Sequence, residues 1–251
     1  MINDLLLLSG NNIPFLQGQV NIHQPTIKEI AYISEEAFFM GCHLLNFSKD
    51  MLNTEDNSNL EKLSNFEVLM SIISDKNASA KMQRVNLLMV LTLLFPEHEV
   101  NFSNKEIALI KRDSSGEIIE KGQINNENYE DFKKILVAMF CLTATGANDE
   151  YNPQGDLAKK IAEKLKERKR KLAEQKGDEG QKIAIFSRYI SILSVGEGKD
   201  IQSLLNLTVY QLFDEFQRYE LKMNFDYHLQ AKMAGAKDLK DVDDWMKDIH
   251  P

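Results

Sequence analysis

The residues able to hold a metal or activate a nucleophile are few and badly spaced for either task. His23, His43, His98, His228 and His250 offer no pair at i, i+4, the spacing that sets two imidazoles on one side of a helix. Cys42 and His43 are adjacent, so on a helix they point to different sides. The pattern predicts structural histidines and no metal. Cys42 and Cys141 lie far apart in apolar stretches, where free thiols behave as small hydrophobes, and no disulfide framework is present. There is no Gly-x-Ser-x-Gly elbow, and the glycines never fall into a Gly-x-Gly-x-x-Gly or Walker phosphate loop. Carboxylate pairs such as Glu35-Glu36 and Asp243-Asp244 read as solvated helix faces. The expectation is a protein with no catalytic centre and no cofactor.

Charge points the same way. A formal net charge of -8 favours solubility and argues against nucleic acid or anionic lipid as the main partner, since both need a cationic surface. The local exception is Lys164, Lys166, Arg168, Lys169, Arg170 and Lys171. Glu163, Glu167 and Glu174 interrupt this cluster, and it lacks the interleaved aromatics that stack bases, so it reads as a charged helix face. The thin apolar stripe of the same segment, Leu157, Ile161, Leu165 and Leu172, is suited to packing lengthwise on a partner helix, and these four are candidate protein-binding residues. Trp245, the only tryptophan, is the fifth candidate. The sequence places it in a short C-terminal helix from Leu239 to Ile249, as an anchor that docks on its own chain in preference to another.

The elements behind these residues are mostly helical. With 43% hydrophobic residues the chain can build a real core, and its apolar runs alternate with polar ones as packed helices and exposed connections do. Met1 to Gln24 shows no helical period and is expected to be extended or irregular, with a short strand at Val20 to Ile22. Helices are predicted from Pro25, from Ser34, over Leu60 to Ile73, and over Ala78 to Phe95, which Pro96 ends. Ile107 and Leu109 on one side of Asp113-Ser114-Ser115-Gly116, and Ile118 and Ile119 on the other, predict a hairpin. Further helices follow: one capped by Asn125 or Asn126, the charged helix Asp156 to Lys176, one over Ile183 to Val195, and one from Thr208 to near Gly235. The fold class expected is mainly α, a multi-helix bundle with one small β-hairpin. Two regions are expected: an N-terminal helical domain, 1–150, with the hairpin at about 99–124, and a C-terminal helical region, 151–251, beginning with the charged exposed helix. The longest apolar stretch, Val85 to Phe95, falls short of the roughly 20 residues a membrane span needs, and Leu5 to Leu8 is too short for a secretory signal. A cytoplasmic protein is expected.

Several stretches together resemble a known group. Pro-Thr-Ile-Lys-Glu-Ile at Pro25 to Ile30, Ser-Glu-Glu-Ala-Phe-Phe at Ser34 to Phe39, Asn-Tyr-x-x-Phe-Lys-Lys-Ile-Leu at Asn128 to Leu136, and the run from Leu207 to Tyr219 are similar to proteins encoded in the tail modules of phages of Gram-positive and related bacteria. Those proteins look like tail assembly chaperones or proteins encoded beside them. The resemblance implies a protein that binds the tape measure protein, or tail tube subunits, and keeps apolar helices soluble during tail assembly in the host cytoplasm. It leaves a homo-oligomer open. This chain is larger than the commonest such chaperones and includes a hairpin, so a second implied role stands beside the first: a structural piece of the tail or baseplate that stays in the virion.

Overall fold

The N-terminal stretch without a helical period nevertheless opens with a helix. In the computed structural model, which describes residues 2–49, 63–75, 77–103, 105–142, 185–236, 244–247 and 249, α1 spans Asp4–Ser9. The Asn3 side chain accepts from the Leu5 amide at its start, and Gly10, with φ of 68°, closes it in the left-handed conformation that glycine adopts without strain. Six residues are too few to display a period. The chain then pairs β1 (Ile13–Phe15) with β2 (Val20–Ile22) antiparallel, burying Ile13, Phe15, Val20 and Ile22 on one side.

Four helices follow, each begun by the capping residue before it. Thr26 and Glu29 form a reciprocal capping box around α2 (Ile27–Ile30), so the helix begins after Thr26 and not at Pro25. Ser34 caps α3 (Glu35–Leu45), and Ser64 with Glu67 caps α4 (Asn65–Ser74). Asn77 caps α5 (Ala78–Leu94). The predicted start at Leu60 lies outside the described residues, and Leu63 precedes the α4 cap.

A three-stranded antiparallel sheet, ordered β3-β4-β5, comes next, from β3 (Glu99–Phe102), β4 (Glu106–Arg112) and β5 (Ile118–Asn125). Ile107, Leu109 and Ile124 face the core, while the tip of the β4-β5 hairpin carries Ile118 and Ile119 into solvent. The expectation of a mainly α bundle with one small hairpin is therefore corrected: nine α-helices and five strands in two small sheets, among the described residues, make a mixed α/β fold. β1 and β3 escape a reading of alternation because three- and four-residue strands hold too few inward positions to set a pattern. After β5, α6 (Tyr129–Met139) is preceded by Asn128, not Asn125 or Asn126, and the Asn128 side-chain amide ties the turn by donating to the Gln123 carbonyl and accepting from the Asn125 amide.

The C-terminal part is α7 (Ile185–Glu197), α8 (Ile201–Leu205) and α9 (Val209–Met233). Its buried residues Phe186, Ile190, Leu193, Leu204, Val209, Tyr210 and Leu212 belong to the same continuous core as those of α1 to α6. Thr208 and Gln211 form another capping box at the start of α9. That box sits beside the one at α2, because Thr26 bridges to Thr208 and the Ile27 amide donates to the Leu207 carbonyl. Gln211 also reaches the Leu8 carbonyl of α1. The expected boundary between residues 150 and 151 and the whole charged segment 156–176 lie outside the described residues.

The junction near α2 is expected to be acid-sensitive. Burial raises the Glu29 carboxyl, but hydrogen bonds from the Thr26 amide and hydroxyl and from His23 outweigh it, so its folded pKa lies below the usual value. A carboxyl with a lowered folded pKa stabilises the fold above its unfolded pKa, and that contribution is lost as pH falls through the folded value. Glu29→Gln is therefore expected to flatten the decline in melting temperature on acidification from about pH 5 downward, the range in which carboxyls titrate. A thermal scan of both proteins against pH checks this; equal slopes would refute it.

Candidate protein-binding surface

Of the five residues singled out in the sequence, Leu157, Ile161, Leu165 and Leu172 lie outside the described residues, so the structure neither gathers nor separates them. Trp245 is described. It stands in a turn at 244–247, not in the predicted helix, and it is half-buried. Asp244 shapes this turn by accepting the Met246 amide on its side chain at 2.9 Å and the Lys247 amide on its carbonyl at 3.1 Å. The carbonyls of Trp245 and Lys247 face α9, and Arg218 Nη1 donates to both, at 2.8 and 2.7 Å.

How α9 comes to present Arg218 follows from its sequence. Leu212, Phe216 and Tyr219 recur at three- and four-residue steps and form the side that meets the body. Aromatic contacts fix that side. Tyr189 of α7 stacks on Phe216 with ring centroids 3.7 Å apart and planes within 3°, and it meets Phe213 edge-on at 5.3 Å. Phe186 stacks on Phe39 of α3 at 5.1 Å and touches Phe38 and Phe213, which joins α7 to the core. The Glu35 carboxylate accepts the Phe186 amide at 2.8 Å. Gly196 allows the close approach of α7 to α9, since a side chain there would collide with the Tyr219 hydroxyl.

Beyond Tyr219 the composition changes. From Leu221 to Leu229 apolar and polar residues alternate strictly, a period of two on a helix of 3.6 residues per turn. Such a pattern puts apolar residues on two opposite sides. Met223 and Tyr227 continue the side that meets the body, whereas Leu221, Phe225 and Leu229 lie about half a turn away, around Arg218. Leu221 and Phe225 are half-buried, while Leu229 and Met233 are 47% and 81% exposed.

Several described groups that could do chemistry have structural contacts or raised pKa values. Burial pushes the Cys42 thiol well above its ordinary value, and burial together with the Asp214 charge pushes Cys141 up to about 11, so both are protonated near neutrality and weakly nucleophilic. His23 is tied to Glu29 and Asn12, and His98 to Glu120 at 3.1 Å. Among the described residues no three His, Cys, Asp or Glu side chains gather as a metal cluster would. The Tyr129 hydroxyl, buried and raised in pKa by that burial, donates to the Leu45 carbonyl at 2.7 Å and pins α6 to α3. A cleft of about 640 Å³ runs along α4, where Glu67, Ser71 and Ser74 face Lys105, Asn126 and Glu127. Glu67 is held ionised by its Ser64 hydrogen bonds, so it can accept but is ill suited to give up a proton.

The fold and this surface define a mixed α/β protein whose C-terminal helices leave apolar side chains open. No described helix is long and apolar enough to cross a membrane. Residues 176–250 match the family described as YomV second domain, and that stretch contains α7, α8, α9 and the Trp245 turn. The family is phage-derived, and the match points to a phage protein. No curated protein and no solved structure matches the chain.

Proposed function

We propose that this chain is a non-enzymatic phage protein that holds other proteins during tail assembly, its partners being the tape measure protein, tail tube subunits or both. The observation that carries this reading is the distal half of α9: inside the stretch that matches a phage-derived family, one long helix presents apolar side chains on two sides. A lone helix with such faces gains free energy by covering them with protein, at roughly 25 cal/mol per Å² of apolar surface removed from water. Binding of this kind releases a client by mass action and needs no reaction. The resemblance of Pro25 to Ile30, Ser34 to Phe39, Asn128 to Leu136 and Leu207 to Tyr219 to tail-module proteins supports the choice of partner.

Affinity purification of the tagged chain from infected cells is expected to recover the tape measure protein or the tube subunit, and mass spectrometry of finished particles is expected to find this chain missing. Presence in the particle at a fixed copy number would favour the structural virion role. Recovery of neither tail protein would remove the proposal.

A further inference from the structure

α5 is apolar on two sides, and the core uses one of them. Leu87, Leu91 and Leu94 are inaccessible to solvent, whereas Met82, Val85 and Leu88 on the far side are 63%, 45% and 39% exposed. A helix that is apolar all round is one that is covered all round. The uncovered side is also regularly spaced. Ala78, Met82, Val85, Met89 and Thr92 follow one another at alternating steps of four and three residues, the period of a seam between two helices. Thr92 can stand in such a seam because its hydroxyl is taken up by the Leu88 carbonyl at 2.8 Å. The two ends of the seam differ in charge. Lys81 lies at the N-terminal end and has no ion pair among the described residues. Glu97 lies just past the C-terminal end; it pairs with Lys111, yet its side chain is 68% exposed. The helix dipole has the same sense, positive at the start of α5 and negative at its end.

We propose that two copies of this chain pair through the exposed side of α5, with the helices antiparallel about a two-fold axis between Val85 and Met89. The proposal is independent of the protein-holding reading. Antiparallel order follows from the charges. Side by side in the same sense, the helices would set Lys81 against Lys81 and like dipole ends together, while reversed they bring Lys81 of each copy toward Glu97 of the other. An occupant of this face needs the two charges in reverse order along an apolar stripe, and a second α5 supplies both. The side chains fit the same register: Val85 of one helix lies opposite Met89 of the other and Met82 opposite Thr92, each contact made twice, as a two-fold axis requires. Methionine suits such a seam, since its flexible thioether adapts to the side chain it faces. The seam is short, so the pair is expected to be weak and concentration-dependent.

Analytical ultracentrifugation of the full chain is expected to show a mean mass that rises from 28.8 kDa toward twice that value as the concentration increases to about 100 µM. Val85→Glu should weaken pairing about a hundredfold or more, because each pair would bury two carboxylates without partners. Its circular dichroism should not change, since the position is exposed in the single chain and glutamate favours a helix. Ile118→Glu places the same charge on the exposed hairpin tip and should leave pairing as it is. Orientation is read by cross-linking: on mild oxidation, a mixture of Val85→Cys and Met89→Cys chains should form the mixed disulfide in preference to either self-disulfide. A chain that keeps its single mass throughout the series overturns the proposal, whether or not a different protein binds α5. Undiminished pairing of a folded Val85→Glu chain overturns it as well, and so does loss of pairing in Ile118→Glu. Self-disulfides of Val85→Cys in place of the mixed product overturn the antiparallel order.

Discussion

Phe38→Ala is expected to lower the unfolding free energy by about 3–5 kcal/mol, the range for removing a fully buried phenylalanine from a core that cannot close over the gap. Phe38 is inaccessible to solvent, and its ring meets three others: Phe140 of the α6 C-terminus edge-on at 4.9 Å, Phe39 at 5.6 Å, and Phe186 of α7 at 5.9 Å. It joins α3 to both α6 and α7, alongside the Phe39 ring and the Glu35 carboxylate that also hold Phe186. Loss of the ring leaves Phe140 and Phe186 facing a void, so the transfer contribution and the lost dispersion contacts act together. The effect should also be local in kind. Chemical denaturation measures the overall loss, and hydrogen exchange of Phe186 to Val195 should accelerate more than that of β4 and β5, whose contacts do not pass through Phe38. Uniform acceleration across the molecule would mean that α7 is not fastened through this ring.

The same cluster separates what residue spacing discloses from what only packing decides. Phe38, Phe39 and Cys42 on α3, or Phe132, Leu136 and Met139 on α6, stand at helical spacing, so their burial is readable from the spacing alone. Thr208 announces the start of α9, a hydroxyl with Gln211 three residues on to reach back, whereas the capping box of Ser64 with Glu67 lies inside the apolar run Leu60 to Ile73, whose spacing hides it. β1 and β3 are not readable in this way, since their register is imposed by the strands they meet. The strand nature of Glu99–Phe102 comes from pairing with Glu106–Arg112 and not from its own residues.

The surface is legible to a smaller degree. The aromatics of the first turns of α9 stand at helical spacing, and Phe213 and Phe216 pack on Tyr189. The second face escapes a periodicity reading because an alternation of two, as in Leu221 to Leu229, is the signature of a strand and looks like noise on a helix. Arg218 gives no signal at all. Its partners are backbone carbonyls, which every residue has, and so no residue type near position 245 can betray them. Trp245 stands out by being alone, yet Asp244 forms a turn around it where the sequence predicts a helix.

Gly41 makes the sharpest case of information that only geometry holds. It lies inside α3, where glycine costs about 1 kcal/mol of helix propensity relative to alanine, so a helix former would be preferred if nothing else mattered. A methyl group built there would come within 2.7 Å of the Asn86 carbonyl oxygen and 2.5 Å of Val90 Cγ2, both on α5. The valine methyl can rotate away, but the carbonyl belongs to a helix backbone and cannot. Any side chain at this position must therefore push α3 and α5 apart, opening contacts around Cys42, Leu87 and Leu91, which are inaccessible to solvent. Gly41→Val is expected to lower the unfolding free energy by about 3 kcal/mol or more, at the upper end of overpacking costs because the obstacle is main chain. That corresponds to a fall in melting temperature of roughly 6–12 °C for a chain of this size. Gly41→Ala should be destabilising too, although less so, and its sign is the stricter test. Helix propensity alone would make alanine stabilising, so a higher melting temperature for Gly41→Ala would show that α3 and α5 do not approach as closely as the contact at Asn86 requires.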